Sequence, residues 1–153
     1  MYIPELRQTR KIQKPSMEDA LRESDLVFDD MSRIQLDRMN FELVKETIFE
    51  GENCYVIEAK PIDRSPYGKR IFWISKIRGV FLKVEYYDSK QRLLKTQTIQ
   101  WQELKGSLVW KNSHVKNLET GRTTVIELSD VKVNSGLPDQ LFTERSLNRG
   151  VQR

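Results

Sequence analysis

The sequence is poor in the residue types that build metal centres and nucleophilic sites. It contains one cysteine, Cys54, and one histidine, His114. One cysteine excludes an internal disulfide, and these two residues leave no ligand set for structural zinc. We expect Cys54, which begins the apolar run 54–57, to be a small buried hydrophobe, and His114 to lie in a solvated turn at 112–114. These absences predict a protein without a metal or a cofactor.

The common phosphate-binding and catalytic motifs are also absent. The 153 residues contain no G-x-G-x-x-G, no G-x-x-x-x-G-K-[ST] and no G-x-S-x-G. No apolar run approaches the roughly 18 residues of a membrane-spanning helix. Proline and charge occur at Pro4, Glu5 and Arg7, where a signal peptide would carry an apolar stretch. The sequence as written therefore predicts neither an enzyme nor a secretion signal.

Positive charge is concentrated at the two ends of the chain. The 26 Lys and Arg exceed the 22 Asp and Glu, which gives a net charge of +4. Residues 1–14 carry +3 and residues 143–153 carry +2, so the remainder carries −1. A nucleic-acid-binding sheet would need basic residues between aromatic ones on a solvated face. We predict no nucleic-acid partner, and only a weak attraction of the basic ends to phosphate-bearing surfaces.

From residue 41 onward, short apolar and β-branched runs alternate with turn residues at the spacing typical of sandwiches and barrels. About seven strands are predicted, and the connections are too short for crossover helices, so the sheet is antiparallel. Runs 41–49 and 54–60 predict a hairpin. Further runs typical of strands lie at 70–75, 80–87, 92–101 and 123–133, with shorter ones at 108–110 and 115–118.

The pattern predicts one domain over residues 1–153. It divides into a strand with a loop or helix over 1–40, a β-meander over 41–133, and a C-terminal turn, short helix and tail over 134–153. The short terminal helix is predicted near 138–147, because Pro138 and Asp139 favour a helix start. Residues 16–21 fit either one helical start or a loop. The fold class is mostly β, of the α+β type.

Several predicted strands carry apolar residues on both faces, although a sheet solvated on one side should not. In the strand 80–87, Val84 and Tyr86 share one face, whereas Phe81 and Tyr87 join Lys83 and Glu85 on the other. Two explanations stay open. A helix or long loop packs on the second face, which the pattern alone favours, or the curved sheet encloses an apolar cavity for a ligand.

Five segments, in chain order, resemble the outer membrane lipoprotein-sorting protein family related to LolA. The resemblance covers nearly the whole chain, and its C-terminal segment N-S-G-L-P-D-Q-L-F-T is the most distinctive. The segments are 2–6 with 10–12, 24–30, 83–88, 120–124 and 134–143. Residues 21–23 depart from the family pattern, because charge stands there in place of small or apolar residues.

The resemblance implies a curved antiparallel sheet, forming an incomplete LolA-like β-barrel with short helices. It implies an apolar cavity that carries acyl chains of lipids or lipoproteins without catalysis, between a membrane-bound donor and acceptor, in the periplasm or cell envelope. It also implies a signal peptide and further strands ahead of Met1, roughly a third of the family fold. If Met1 is the true start, we expect a cytoplasmic protein. In either case the given residues lack strands of the family fold, and the unpaired sheet edge invites a homodimer or aggregation.

We predict that five apolar strand residues line the cavity: Trp73, Leu82, Val84, Tyr86 and Ile126. Their alternative is ordinary core packing. Arg7, Arg10 and Lys11 are candidates for contact with headgroups or a partner, or for guarding a solvated strand edge by charge. Asp29 and Asp30 are interpreted as loop or capping groups. Two other functions stay open, a small cofactor-independent enzyme on the same fold and a basic β-sheet module that binds nucleic acid or protein.

Overall fold

A computed structural model describes residues 2–3, 8–9, 19–21 and 24–149. Strands β1 (Tyr2–Ile3) and β2 (Gln8–Thr9) form a separate antiparallel pair. The main element is a curved, open sheet of seven antiparallel strands, each paired with the next strand in the chain. They are β3 (Met39–Phe49), β4 (Glu52–Pro61), β5 (Lys69–Ser75), β6 (Phe81–Tyr87), β7 (Leu93–Leu104), β8 (Ser107–Asn117) and β9 (Thr123–Glu127). The predicted fold class is confirmed.

The helices of the described residues are short. They are 3₁₀ turns at Phe28–Met31, Leu36–Arg38 and Asp139–Phe142, and one α-helix, α1 (Glu144–Arg149). The hydroxyl of Thr143 accepts a hydrogen bond from the Ser146 backbone N–H at 3.2 Å, which caps the start of α1. Of the 16–21 segment, only 19–21 lies among the described residues, and Ala20 there forms a β-bridge with Val27.

Two hairpins use two-residue turns with both φ angles positive. Glu50 and Gly51, with φ of 50° and 82°, connect β3 to β4. Lys105 and Gly106, with φ of 50° and 74°, connect β7 to β8. Such type I′ turns match the right-handed twist of the paired strands, which is why glycine stands at the second position of each.

The structure corrects the strand pattern near the C-terminal end of the sheet. The predicted strands 108–110 and 115–118 are one continuous strand, β8, so the turn expected at 112–114 is wrong. Pairing with both β7 and β9 holds these residues extended, and Ser113 is fully buried. Strand β9 ends at Glu127, so 131–133 is not a strand.

The strand register defines two faces of the sheet. One row of cross-strand partners is Ile57, Phe72, Val84, Gln97 and Val115, and we call their side the inner face. The next row is Val56, Trp73, Lys83, Thr98 and His114, on the outer face.

A register shift in the β5–β6 pair moves one aromatic side chain to the inner face. The shift lies between Trp73 and Ile74, and it sets Phe81 opposite Ile74. Phe81 stacks against Phe72 with ring centroids 4.9 Å apart. The prediction that Phe81 shares a face with Lys83 is therefore wrong, because simple alternation does not include a β-bulge.

The inner face carries the main hydrophobic cluster. Its buried members are Ala59, Tyr67, Phe72, Val84 and Tyr86, and the partly buried residues packed against it include Val27, Ile34 and Leu94. Val27 and Ile34 come from the chain before the sheet, which therefore covers the inner face.

Gly68 should be intolerant of a side chain. A Cβ there would lie 2.5 Å from the Asp88 carbonyl oxygen and 2.8 Å from the Ser89 Cα, both backbone atoms. We expect Gly68→Ala to lower the free energy of unfolding by about 1–3 kcal/mol, measured by urea unfolding followed by tryptophan fluorescence. The control is Gly51→Asn, where a Cβ meets no atom within 4 Å and asparagine tolerates the positive φ. Equal unfolding midpoints for Gly68→Ala and the wild type would contradict the close approach.

Candidate functional site

Residues 24–36 lie across the inner face, and we call them the covering segment. Asp29 and Asp30 are in its 3₁₀ turn, and each carboxylate meets one cation of the sheet. Arg70 Nη2 on β5 donates to Asp29, and Lys95 Nζ on β7 donates to Asp30. The side chains of Arg70, Lys95 and Asp30 are only 8%, 6% and 0% exposed. These buried charges are therefore matched across the contact between segment and sheet.

Two buried tyrosines complete this ionic cluster, which we define as Asp29, Asp30, Arg70, Lys95, Tyr67 and Tyr86. The Tyr67 hydroxyl donates to Asp30 Oδ1 at 2.7 Å, and the Tyr86 hydroxyl donates to Gln97 Oε1 at 2.5 Å. The Arg70 guanidinium lies 4.8 Å from the Tyr67 ring centroid, and Lys95 Nζ lies 5.0 Å from that of Tyr86.

The cluster shifts the ionisation of its own members. Burial, followed by the nearby Asp30 carboxylate, raises the pKa of both Tyr67 and Tyr86 well above the ordinary value, so both remain hydrogen-bond donors. Burial lowers the pKa of Lys95, and the Asp30 charge opposes that change.

Asp25 connects the start of the covering segment to the end of the sheet formed by β8 and β9. Thr124 Oγ1 donates to its carboxylate at 2.9 Å, Asn117 Nδ2 at 3.1 Å and Arg122 Nη2 at 3.3 Å. Burial disfavours the ionised carboxylate, but these hydrogen bonds and the Arg122 charge together hold the pKa of Asp25 below its ordinary value.

Asp30 also performs the capping role expected from the sequence. Its Oδ2 accepts a hydrogen bond from the Val27 backbone N–H at 2.8 Å, at the start of the 3₁₀ turn. The interpretation of Asp29 and Asp30 as capping groups missed their pairing with Arg70 and Lys95. That pairing joins residues 41 and 65 positions apart in the chain.

An apolar groove lies beside the ionic cluster, between the covering segment and strands β3 to β6. It encloses about 370 Å³, within the usual range of small-molecule sites. All of its lining side chains are hydrocarbon: Ile34, Leu36, Phe41, Ile57, Phe72, Ile74 and Phe81. Leu36 and Phe41, at 70% and 46% exposure, leave it open to solvent.

A second hollow of about 390 Å³ continues from the groove beneath the covering segment. The two share Ile34, Leu36, Phe72 and Phe81. The second hollow reaches Ile99 and Trp110 at one end and the ionic cluster at the other. The covering segment and the two hollows therefore lie on the same, inner face of the sheet.

The structure separates the five predicted cavity residues. Val84 and Tyr86 line the second hollow, whereas neither Leu82 nor Ile126 lines either hollow. Leu82 is 4% exposed and buried, and Ile126 is the inner-face partner of Ser113. Trp73 is on the outer face, where Lys83 Nζ lies 4.4 Å from its ring centroid. Trp73 therefore lines neither hollow, and its neighbour Phe72 occupies the inner face instead.

Sequence reasoning missed most of the groove. Phe41, Ile57 and Ile74 carried a usable signal, since they alternate at period two along predicted strands. Ile34 and Leu36 carried none, because Ile34 lies in irregular chain and Leu36 begins a short 3₁₀ turn. The candidate contact residues Arg7, Arg10 and Lys11 lie outside the described residues.

A thiol and imidazole pair is not formed. Cys54 on β4 is fully buried, as expected, and burial raises the pKa of its thiol. His114 is on β8, four strand spacings away, which is about 19 Å at ~4.8 Å per spacing.

Known proteins provide close structural matches. A family model whose description reads "-like: Uncharacterized protein" matches residues 1–149. A crystal structure of a Vibrio parahaemolyticus domain described as an outer membrane lipoprotein-sorting protein matches with a TM-score of 0.89 and 28% identity over 97% of this chain. A DUF1329 family protein from Desulfovibrio piger matches with a TM-score of 0.86 and 27% identity over 95%. No curated protein matches the sequence.

A LolA superfamily protein from Nitrosomonas europaea matches with a TM-score of 0.68 and 27% identity over 86% of this chain. The chain spans 64%, 62% and 60% of the lengths of these three solved proteins, in the order given. Among the residues that the structure describes, no helix is long and apolar enough to cross a membrane.

Replacing Asp30 should lower the stability of the protein strongly, because its carboxylate is buried in the ionic cluster. Asp30→Asn leaves Lys95 buried without its counter-charge, so we expect the free energy of unfolding to fall by about 3–5 kcal/mol. Adding Lys95→Met removes the stranded charge, so the double variant should lose less than the sum of the two single variants by about 1 kcal/mol or more. Urea unfolding of the four proteins measures this coupling, and additive losses would show that the two groups do not interact.

Acid should loosen the attachment at Asp25. The folded pKa of Asp25 lies below the unfolded value, so its contribution to stability is present above the unfolded pKa and is lost as pH falls through the folded one. We expect Asp25→Asn to flatten the fall in stability below about pH 4, measured by urea unfolding at several pH values. Glu103→Gln, on an exposed part of β7, is the control and should keep the wild-type slope. An Asp25→Asn slope equal to that of the wild type would refute the assignment.

Proposed function

The chain belongs to the LolA-like family of outer membrane lipoprotein-sorting proteins, and from this membership we propose that it binds an acyl chain of a lipid or lipoprotein and carries it without catalysis. The observation that carries this proposal is the apolar groove on the inner face of the sheet. Its position between a curved sheet and a covering segment suits a linear ligand.

The chemistry of the groove selects its ligand. Its seven lining residues present no side-chain hydrogen-bond donor, acceptor or titratable group. A sugar or nucleotide placed there would lose hydrogen bonds to water without replacement. An acyl chain loses none, and each methylene moved out of water contributes about 0.8 kcal/mol.

The same composition argues against catalysis in the groove. Acid–base and nucleophilic mechanisms need a titratable or nucleophilic side chain within hydrogen-bond reach of the substrate. Such groups lie next to the groove in the ionic cluster, where they are paired with one another. We therefore favour carriage over the cofactor-independent enzyme.

We place this activity in the periplasm or cell envelope, with a membrane-bound donor and acceptor for the ligand. A homodimer belongs to the same proposal. The outer edge of β3 has no strand partner among the described residues. A bulge at Val44 and the charged residues Glu42, Lys45 and Glu46 protect the β3 edge from pairing with another strand. The edge of the shorter strand β9 is therefore the alternative contact for the dimer.

Binding of saturated fatty acids tests the groove. Affinity should rise with each added methylene from octanoate to dodecanoate, by up to about fourfold, because a fully buried methylene adds about 0.8 kcal/mol. The variant Leu36→Ser with Phe41→Ser should weaken dodecanoate binding tenfold or more, since both exposed side chains would contact the ligand. Isothermal titration calorimetry measures both effects, and native mass spectrometry of protein purified without detergent shows whether lipid is retained.

The matched control is Ile77→Ser. Ile77 is 87% exposed in the turn between β5 and β6 and lines neither hollow. Its replacement removes an exposed apolar side chain elsewhere and should leave affinity unchanged. Affinity that is independent of chain length, or equal in the groove variant and the wild type, would defeat the proposal.

A further inference from the structure

We propose that the chain forms a homodimer in which β9 pairs antiparallel with β9 of a second copy, about a two-fold axis at Val125. The sheet has two edge strands, β3 and β9, and this interface selects one of them. It deepens the homodimer of the proposed function and rests on it, because it assigns the contact and its register.

Alternate residues of β9 are hydrogen-bonded to β8. The Leu128 N–H donates to the Lys111 carbonyl at 3.1 Å, and the Asn117 N–H donates to the Arg122 carbonyl at 2.9 Å, at the two ends of the β8–β9 pair. In an antiparallel pair, the backbone groups of successive residues point to opposite sides of the strand. The even-numbered residues of 122–128 therefore bond to β8, and the odd-numbered ones point their N–H and C=O groups to the open edge.

The outward residues are Thr123, Val125 and Glu127. Their side chains are on the outer face, and all three residues are exposed, with Val125 at 48%. Their backbone N–H and C=O groups have no hydrogen-bond partner in the part of the chain that the structure describes. Water satisfies such groups at an open edge, and an added strand satisfies the whole row at once.

A two-fold axis at Val125 uses all of these groups. It sets Val125 opposite its own copy, and Thr123 opposite Glu127 of the second copy. Three hydrogen-bonded residue pairs then form, with about six backbone hydrogen bonds. An axis one residue to either side would leave one outward residue of each β9 beyond the end of the other strand, so the axis at Val125 forms the most bonds.

Charge and regularity favour β9 over the other edge. In the proposed register no like charges oppose each other, and the Thr123 hydroxyl faces a Glu127 carboxylate to which it can donate. β9 pairs with β8 without a register shift, so its outward groups form a regular row. β3 has a bulge at Val44, which interrupts such a row, and charged residues on both sides of the bulge. We therefore assign the contact to β9.

Sedimentation velocity of the whole chain tests the dimer. A single strand pair is a small interface, so we expect weak association. The sedimentation coefficient should rise from that of a monomer toward that of a dimer between about 5 µM and 500 µM protein. A wild-type protein that stays monomeric over this range would overturn the inference.

Opposite charges at Val125 test the register. Val125→Lys and Val125→Glu each place two like charges opposite each other at the axis, so each should weaken self-association about fivefold. Both should fold, because Val125 is half-exposed. An equimolar mixture opposes lysine to glutamate and should associate at least as tightly as the wild type, with an advantage that shrinks as salt is added. A mixture that associates no better than either variant alone would overturn the two-fold register.

The matched control is the same exchange at the other edge. Val44 is 52% exposed in the bulge of β3, so it matches Val125 in residue type and exposure. Val44→Lys and Val44→Glu should leave self-association unchanged. An effect at Val44 with none at Val125 would assign the dimer to β3 and overturn the β9 interface.

Fatty-acid binding separates this interface from the proposed function. Val125 lines neither hollow, so Val125→Lys should bind dodecanoate as tightly as the wild type. A monomeric wild type that binds fatty acids with the expected dependence on chain length would overturn the β9 dimer and leave the acyl groove intact. A dimer with the charge behaviour described above that binds no fatty acid would overturn the groove and support the interface.

Discussion

The structure depends on the neutralisation of two cations that lie on an otherwise largely apolar face of the sheet. Arg70 and Lys95 point to the inner face within the same layer as Phe72 and Val84, and both are buried. An uncompensated charge at such a position would cost several kcal/mol. The chain before the sheet supplies the compensation through the adjacent carboxylates of Asp29 and Asp30.

The main effect of this pairing is positional. Buried ion pairs often contribute little net stability, because desolvation offsets much of the attraction, and apolar residues of similar size can be as stable. Two specific pairs, however, permit one placement of residues 28–31 on the sheet. That placement sets Ile34 and Leu36 over the inner face, where they line the groove together with Phe72 and Ile74.

The sequence was sufficient for features that depend on near neighbours. Short apolar and β-branched runs separated by turn residues predicted the antiparallel meander, and the runs 41–49 and 54–60 predicted its first hairpin. Apolar residues on both faces correctly indicated that something covers the sheet. The pattern failed at Phe81, because a bulge changes the face of a side chain without any sign in the composition. It failed at 112–114 because a polar run can lie inside a strand when both neighbouring strands, here β7 and β9, pair with it.

The site was harder to predict than the fold because its contacts are distant in the chain. Asp30 contacts Lys95 and Tyr67, and no local sequence pattern predicts contacts between residues so far apart in the chain. A signal was nevertheless present. Arg70 and Lys95 occupy inward positions of strands whose next inward residues are Phe72 and Gln97. A cation on an inward position needs a carboxylate, and the Asp29–Asp30 pair in the covering segment was the unassigned candidate.

The exposure of the groove bears on how a carrier releases its ligand. Leu36 and Phe41 remain largely exposed, so an acyl chain in the groove would be covered by protein on one side and would contact solvent on the other. Each methylene would then contribute less than its full transfer energy of about 0.8 kcal/mol. A fully enclosed chain of a dozen methylenes would gain about 10 kcal/mol by the same measure and would leave slowly. Partial burial keeps affinity within a range in which a membrane acceptor can compete, so the open groove suits transfer better than storage.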